Sequence, residues 1–83
     1  MDDKTRIYKA DEFTDAIALT ILKEVSEILE ERGYNPINQI VGYLMSRDPG
    51  YITSYKDARK KIMSVKPSRL LEVIVKEAIK WDI

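Results

Sequence analysis

The chain has 83 residues, with 14 basic side chains balanced by 14 acidic ones and neither cysteine nor histidine. These features exclude disulfides, thiolate metal sites, thiol nucleophiles and the commonest general base, so catalysis would fall to carboxylate, lysine or tyrosine, and no spacing gathers these into a site. The charge balance removes the overall positive field that accompanies nonspecific nucleic-acid binding, and no apolar run approaches the roughly 18 residues that span a membrane.

Residues 1–11 are polar, mix charges of both signs and show no sustained apolar period. They are expected to form a mobile tail, with Ile7 and Tyr8 as docking points and Thr5, between Lys4 and Arg6, as an accessible hydroxyl. The Met1-Asp2-Asp3-Lys4 start does not resemble a signal peptide, which makes the cytoplasm the expected location. Residues 12–83 are expected to fold as a single helical domain.

Asp11 or Thr14 is the expected cap of a first helix running to about Arg32. Its apolar stripe is Ile17, Ile21, Val25, Ile28 and Leu29, widened by Ala18 and Leu22. Glu27, Glu30 and Glu31 lie largely off that stripe and oppose the helix dipole, forming either a solvated face or an acidic contact for a partner.

The stretch from Gly33 to Met45 packs a helix stop and a helix start into four residues. Gly33 takes the left-handed conformation that ends a helix, Asn35 offers a side-chain oxygen to the next helix's free amides, and Pro36 has no amide to leave unpaired. Ile37, Ile40, Val41 and Leu44 fall on one face of the second helix. A glycine inside a helix costs about 1 kcal/mol relative to alanine, so Gly42 predicts close packing of another group against it.

Asp48-Pro49-Gly50 ends that helix, and Tyr51 and Ile52 anchor the following loop on the core. Thr53 or Ser54 is the expected cap of a third helix, with Tyr55, Ala58 and Ile62 inward and Lys56, Arg59, Lys60 and Lys61 as a basic cluster. This cluster reads either as a solvated face or as a partner-binding surface. Pro67 or Ser68 starts a fourth helix whose apolar set is Leu70, Leu71, Ile74, Val75, Ala78 and Ile79, with Val65 as a core plug and Arg69 pairing with Glu72. That set is broad enough to pack on the core and on a second subunit together, and a chain of this size buries only about 60–65% of its unfolded surface. Trp81 follows the helix, and Asp82-Ile83 is expected to fray. The fold class is thus all-α, a compact bundle of four, possibly five, short helices.

Gly33 to Arg59, with the word Tyr34-Asn35-Pro36-Ile37-Asn38-Gln39-Ile40-Val41-Gly42-Tyr43-Leu44 followed by Asp48, Pro49 and Tyr51, resembles the IreB family of small regulatory phosphoproteins, called ReoM in some members. The resemblance implies an all-helical homodimer of Gram-positive bacteria, with no cofactor. It implies that Thr5, in Thr-Arg-Ile-Tyr, is phosphorylated by a membrane serine/threonine kinase with PASTA domains and dephosphorylated by a cognate phosphatase. It further implies control of peptidoglycan synthesis through Clp-dependent turnover of the UDP-N-acetylglucosamine enolpyruvyl transferase. Partners would then include a Clp protease adaptor or a cell-wall enzyme. Two departures stand out: Thr5 is the one threonine of the tail, and Ser54, Met63 and Pro67 occupy positions where the family carries basic residues.

The reading that follows is a non-enzymatic phosphoprotein adaptor. Phosphate on Thr5 would add about −1.5 to −2 charges to the tail, which would either dock on Lys56, Arg59, Lys60 and Lys61 or be repelled from a partner. The alternative is a helix-turn-helix-like nucleic-acid-binding module built from the second and third helices. The long Ser46–Thr53 connector and the zero net charge weigh against it.

Overall fold

A computed structural model describes the backbone of residues 2–80 and the side chains from Phe13 to Lys80. The side chains of Thr5, Ile7 and Tyr8, together with Trp81, Asp82 and Ile83, lie outside the described residues. Among the described residues there are four α-helices, α1 (Asp2–Glu31), α2 (Pro36–Ser46), α3 (Ala58–Met63) and α4 (Pro67–Lys80), and two 3-10 turns, Pro49–Tyr51 and Tyr55–Asp57, lie between α2 and α3. The described residues contain no strand, so the fold is all-α.

α1 begins at Asp2, neither at Asp11 nor at Thr14, so the backbone of the expected tail continues the helix and Thr14 lies within it. No glycine or proline occurs before Gly33. Extending an established helix by one residue costs little, whereas the missing apolar period reports only which faces are buried. The other end of α1 is a Schellman turn: Gly33 sits at φ 84°, its N–H donates to the Glu30 carbonyl, and the Tyr34 N–H donates to the Leu29 carbonyl, both at 2.9 Å.

α1 is the spine against which α2, α3 and α4 pack. The core consists of Ala18, Val25, Ile28 and Leu29 of α1, Tyr43 of α2, the loop residue Ile52, Ala58 and Ile62 of α3, and Leu70 and Val73 of α4. Leu19, Ile21, Leu22, Ile40, Leu44 and Val65 flank it, so Val65 takes the expected plug position.

The expected inward positions of Ile17 and Tyr55 need correction, and not every residue of the α2 and α4 stripes faces the core. Ile17 is exposed, as is Tyr55, which lies in the second 3-10 turn ahead of the short α3. In α2 the buried residue is Tyr43, whereas Ile37 is 73% exposed and Val41 is also open. In α4 the buried pair is Leu70 and Val73, leaving Leu71, Ile74, Val75 and Ile79 exposed. A broad stripe does not identify which of its edges faces the core, and α4 turns its narrow Leu70/Val73 edge to α1. Charges staple that contact: Lys76 Nζ lies 2.9 Å from Asp15 Oδ2 and Arg69 Nη1 lies 3.5 Å from Asp15 Oδ1. Arg69 also makes the expected pair with Glu72, at 2.9 Å.

Candidate functional site

The conspicuous sequence word resolves into architecture. Asn35 is extended (φ −83°, ψ 110°) and its Oδ1 accepts from the Asn38 N–H at 3.1 Å, with Pro36 at the first helical position, as expected for the N-cap of α2. The Asn38 side chain is exposed. Gln39 is a structural residue, because its Nε2 donates to the Tyr51 carbonyl at 2.9 Å. A Cβ at Gly42 would fall 2.5 Å from both Cδ1 and Cε1 of Tyr51, so the absence of a side chain there lets the Tyr51 ring lie on the α2 backbone. Arg47, left-handed at φ 60°, closes α2 through its N–H to the Tyr43 carbonyl at 2.6 Å. Asp48 Oδ1 then accepts from the Gly50 N–H at 2.8 Å, with Pro49 opening the 3-10 turn. Tyr34, which helps close α1, keeps its ring half exposed.

The basic cluster is assembled differently from a free cationic face. Lys56 Nζ donates to Glu31 Oε1 at 3.0 Å and lies 2.9 Å from Oε2, while Tyr55 Oη donates to Oε2 at 3.1 Å. The Arg32 guanidinium carbon stands 4.7 Å from the centre of the Tyr55 ring, a cation-π distance. Hydrogen bonding from Lys56, then from Tyr55, holds the Glu31 carboxyl below its ordinary pKa, and the same Glu31 bond raises that of Lys56. Lys61 lies 3.7 Å from Glu24. Arg59 is half-buried and donates from Nε to the Ile52 carbonyl at 2.9 Å, which makes it a clamp on the loop. Lys60 is exposed. The acidic face of α1 and the basic residues after Ser54 therefore largely answer one another. Glu31 and Arg32 emerge as members of the site only in the fold, since 25 residues separate Glu31 from Lys56 and no local spacing links them.

Ser54 and Met63 are exposed and Pro67 opens α4, so none of the three restores a cation near Arg59. With α3 reduced to six residues and two of the cluster's lysines paired to α1, the geometry gives no recognition helix for a duplex groove.

On the far side of α2, Ile37, Ile40, Val41 and Leu44 join Leu22 of α1 and Ile74 of α4 to line an open apolar groove of about 540 Å³, with Lys23 and Glu27 also along it. Among the described residues no group of acidic side chains could hold a metal ion, and no helix is long and apolar enough to cross a membrane.

The profile of the IreB regulatory phosphoprotein family matches residues 3–80. The chain belongs to the IreB family. It is 45% identical over 74 residues to a UPF0297 protein of Ruminiclostridium cellulolyticum, covering 89% of this chain and 84% of that relative. Membership in the IreB family supports a regulatory role.

Proposed function

We propose that the chain is a cytoplasmic phosphorylation-regulated adaptor, modified on Thr5 by a PASTA-type serine/threonine kinase and reset by a cognate phosphatase. Its output is control of peptidoglycan synthesis, through a Clp protease adaptor or directly on a cell-wall enzyme such as the UDP-N-acetylglucosamine enolpyruvyl transferase. The observation that carries this reading is the match of residues 3–80 to a family of regulatory phosphoproteins. Thr5 is the preferred acceptor because it lies in the first turns of α1, where unwinding to fit a kinase cleft costs least. The other threonines are more deeply engaged: Thr14 lies inside α1, Thr20 Oγ1 donates to the Ala16 carbonyl, and Thr53 Oγ1 accepts from the Tyr55 N–H. Residues 1–11 act as the regulatory arm and the surface from Lys56 to Lys61 as its reader.

The adaptor works as a homodimer. The exposed apolar residues of the groove and of α4 (Ile37, Val41, Leu71, Ile74, Val75 and Ile79) support this, because solvent-facing apolar area on this scale marks an interaction surface. Replacing Ile37 and Val41 together by serine should therefore abolish association in sedimentation while leaving helicity intact.

The central test is phosphorylation of the full chain by its kinase, with mass-spectrometric site mapping and pull-down of unmodified and modified protein from its own cytoplasm. Phosphate on Thr5 and a partner set that changes with it are expected. Phosphate concentrated on Thr14 or Thr53 would overturn the assignment.

A further inference from the structure

At the C-terminal end of α1, a hydroxyl (Tyr55 Oη) and an ammonium (Lys56 Nζ) bind the single carboxylate of Glu31, and the guanidinium of Arg32 lies over the Tyr55 ring next to them. The group is solvent-exposed, and exposed ion pairs are weak enough to be displaced by a better anion. A phosphomonoester is such an anion, because it carries up to twice the charge of a carboxylate and three strong acceptor oxygens. The backbone holds these donors in place, since Lys56 and Asp57 adopt successive left-handed conformations (φ 51° and 62°) that project the turn onto the end of α1.

We propose that Tyr55, Lys56 and Arg32 form a phosphothreonine seat which Glu31 fills in the resting protein as an internal competitor, and that its ligand is the phosphorylated N-terminal segment of a second copy. The inference rests on the reading of Thr5 as the phosphoacceptor. Glu31 follows Thr5 by 26 residues, about 39 Å along a helix rising 1.5 Å per residue. Were residues 1–11 to leave the helix, the six residues from Thr5 to Asp11 would reach about 22 Å at most, against about 30 Å from Asp11 to Glu31. The chain's own tail would thus reach the seat only at full extension, where its loss of conformational freedom is greatest, which favours a phosphate offered by another molecule. Charge complementarity selects the occupant: Lys4 and Arg6 flank Thr5, and a phosphate seated on Lys56 would bring them to the displaced Glu31 and the exposed Glu30.

The test uses the full chain with Thr5→Ala as receiver and a synthetic peptide of residues 1–11 phosphorylated on Thr5, followed through the amides of Arg32 and Tyr55 to Asp57 by NMR. Those amides should shift with the phosphopeptide and not with its unmodified form. Glu31→Gln in the same background should bind up to about fivefold tighter, the upper end of the range expected when a weak exposed competitor is removed. Lys56→Asn, which keeps a residue tolerant of the left-handed backbone, should bind correspondingly more weakly. Equal affinity in the receiver and Glu31→Gln, or shifts confined to another surface, would overturn the seat. Inorganic phosphate binding as tightly as the peptide would overturn the tail as its ligand. Failure of the Thr5 reading would show separately, as a kinase that leaves Thr5 unmodified while the synthetic phosphopeptide still binds.

Discussion

The two 3-10 turns between α2 and α3 are neighbours in sequence and are held by opposite means. The first, Pro49–Tyr51, is fixed by shape and by hydrogen bonds to its backbone: the Tyr51 ring lies on Gly42, the Tyr51 carbonyl accepts from Gln39, the Gly50 N–H donates to Asp48, and Ile52 just beyond is fully buried. The second, Tyr55–Asp57, lies on the surface, passes through two left-handed non-glycine residues and is tied to α1 by the Glu31 carboxylate. Close packing in a helix groove has no substitute, whereas an exposed ion pair exchanges with any competing anion. One turn is thus suited to defining the fold and its neighbour to changing partners.

Gly42→Ala attacks the first turn and should have the largest effect. The added methyl cannot coexist with the Tyr51 ring, and overpacking of this kind costs about 1–3 kcal/mol, partly offset by alanine's better helix propensity of about 1 kcal/mol. Chemical denaturation should show a net loss, and Tyr51→Ala in the same chain should make the Gly42→Ala step harmless or favourable. A stabilised single variant would mean that the ring swings aside freely, and the contrast between the turns would collapse. Asn35→Ala, at the start of the same helix, should cost about 1 kcal/mol through the unpaired Asn38 amide, with the helical circular-dichroism signal retained.

These two effects follow from residues whose roles are legible in the sequence. A mid-helix glycine and an Asn-Pro pair after a glycine each have few physical explanations, and both were found as expected. The inward faces were less legible. Ile37 and Val41 share helical spacing with Ile40 and Leu44, and the choice of Tyr43 as the buried member depends on where Ile52 and α1 stand. Val73 was hidden in the same way by the wider stripe of α4. The start of α1 was misplaced because an apolar period measures burial, while helix continuation needs only the absence of a breaker. The charged site was the least legible: the basic cluster could be seen, but its pairing with Glu31 and Glu24 arises from tertiary contact alone.

The second turn should respond to substitution in the opposite sense. Asp57 is left-handed at φ 62° and its side chain makes no capping bond, so Asp57→Gly removes backbone strain without losing a contact there. A stability gain of up to about 1 kcal/mol is expected by denaturation, since glycine adopts this conformation without a Cβ clash. Destabilisation of that size would show that the turn is locked by its side chains as firmly as its neighbour.

The smallest expected effect on global stability, and the sharpest discriminator of the turns, is acid titration of Glu31. Its folded pKa lies below the ordinary value, so its contribution is fully present above the unfolded pKa and is lost as pH falls through the depressed folded value. Lys56 has the reverse sign: its raised folded pKa means a contribution present below the ordinary lysine value and lost as pH rises through the folded one. The pair is therefore intact throughout the neutral range, and its acid limit lies below the usual glutamate titration. Because both groups are exposed, acid should release the turn locally and leave the core folded. An NMR titration should show the Glu31 carboxyl and the Tyr55 and Lys56 amides moving with one midpoint, with the Tyr51 and Ile52 amides unmoved. Lys56→Asn should raise that midpoint, as should high salt, which screens exposed charges. If Tyr51 and Ile52 report the same midpoint, the two turns open together, and the second is no longer an independent, exchangeable contact.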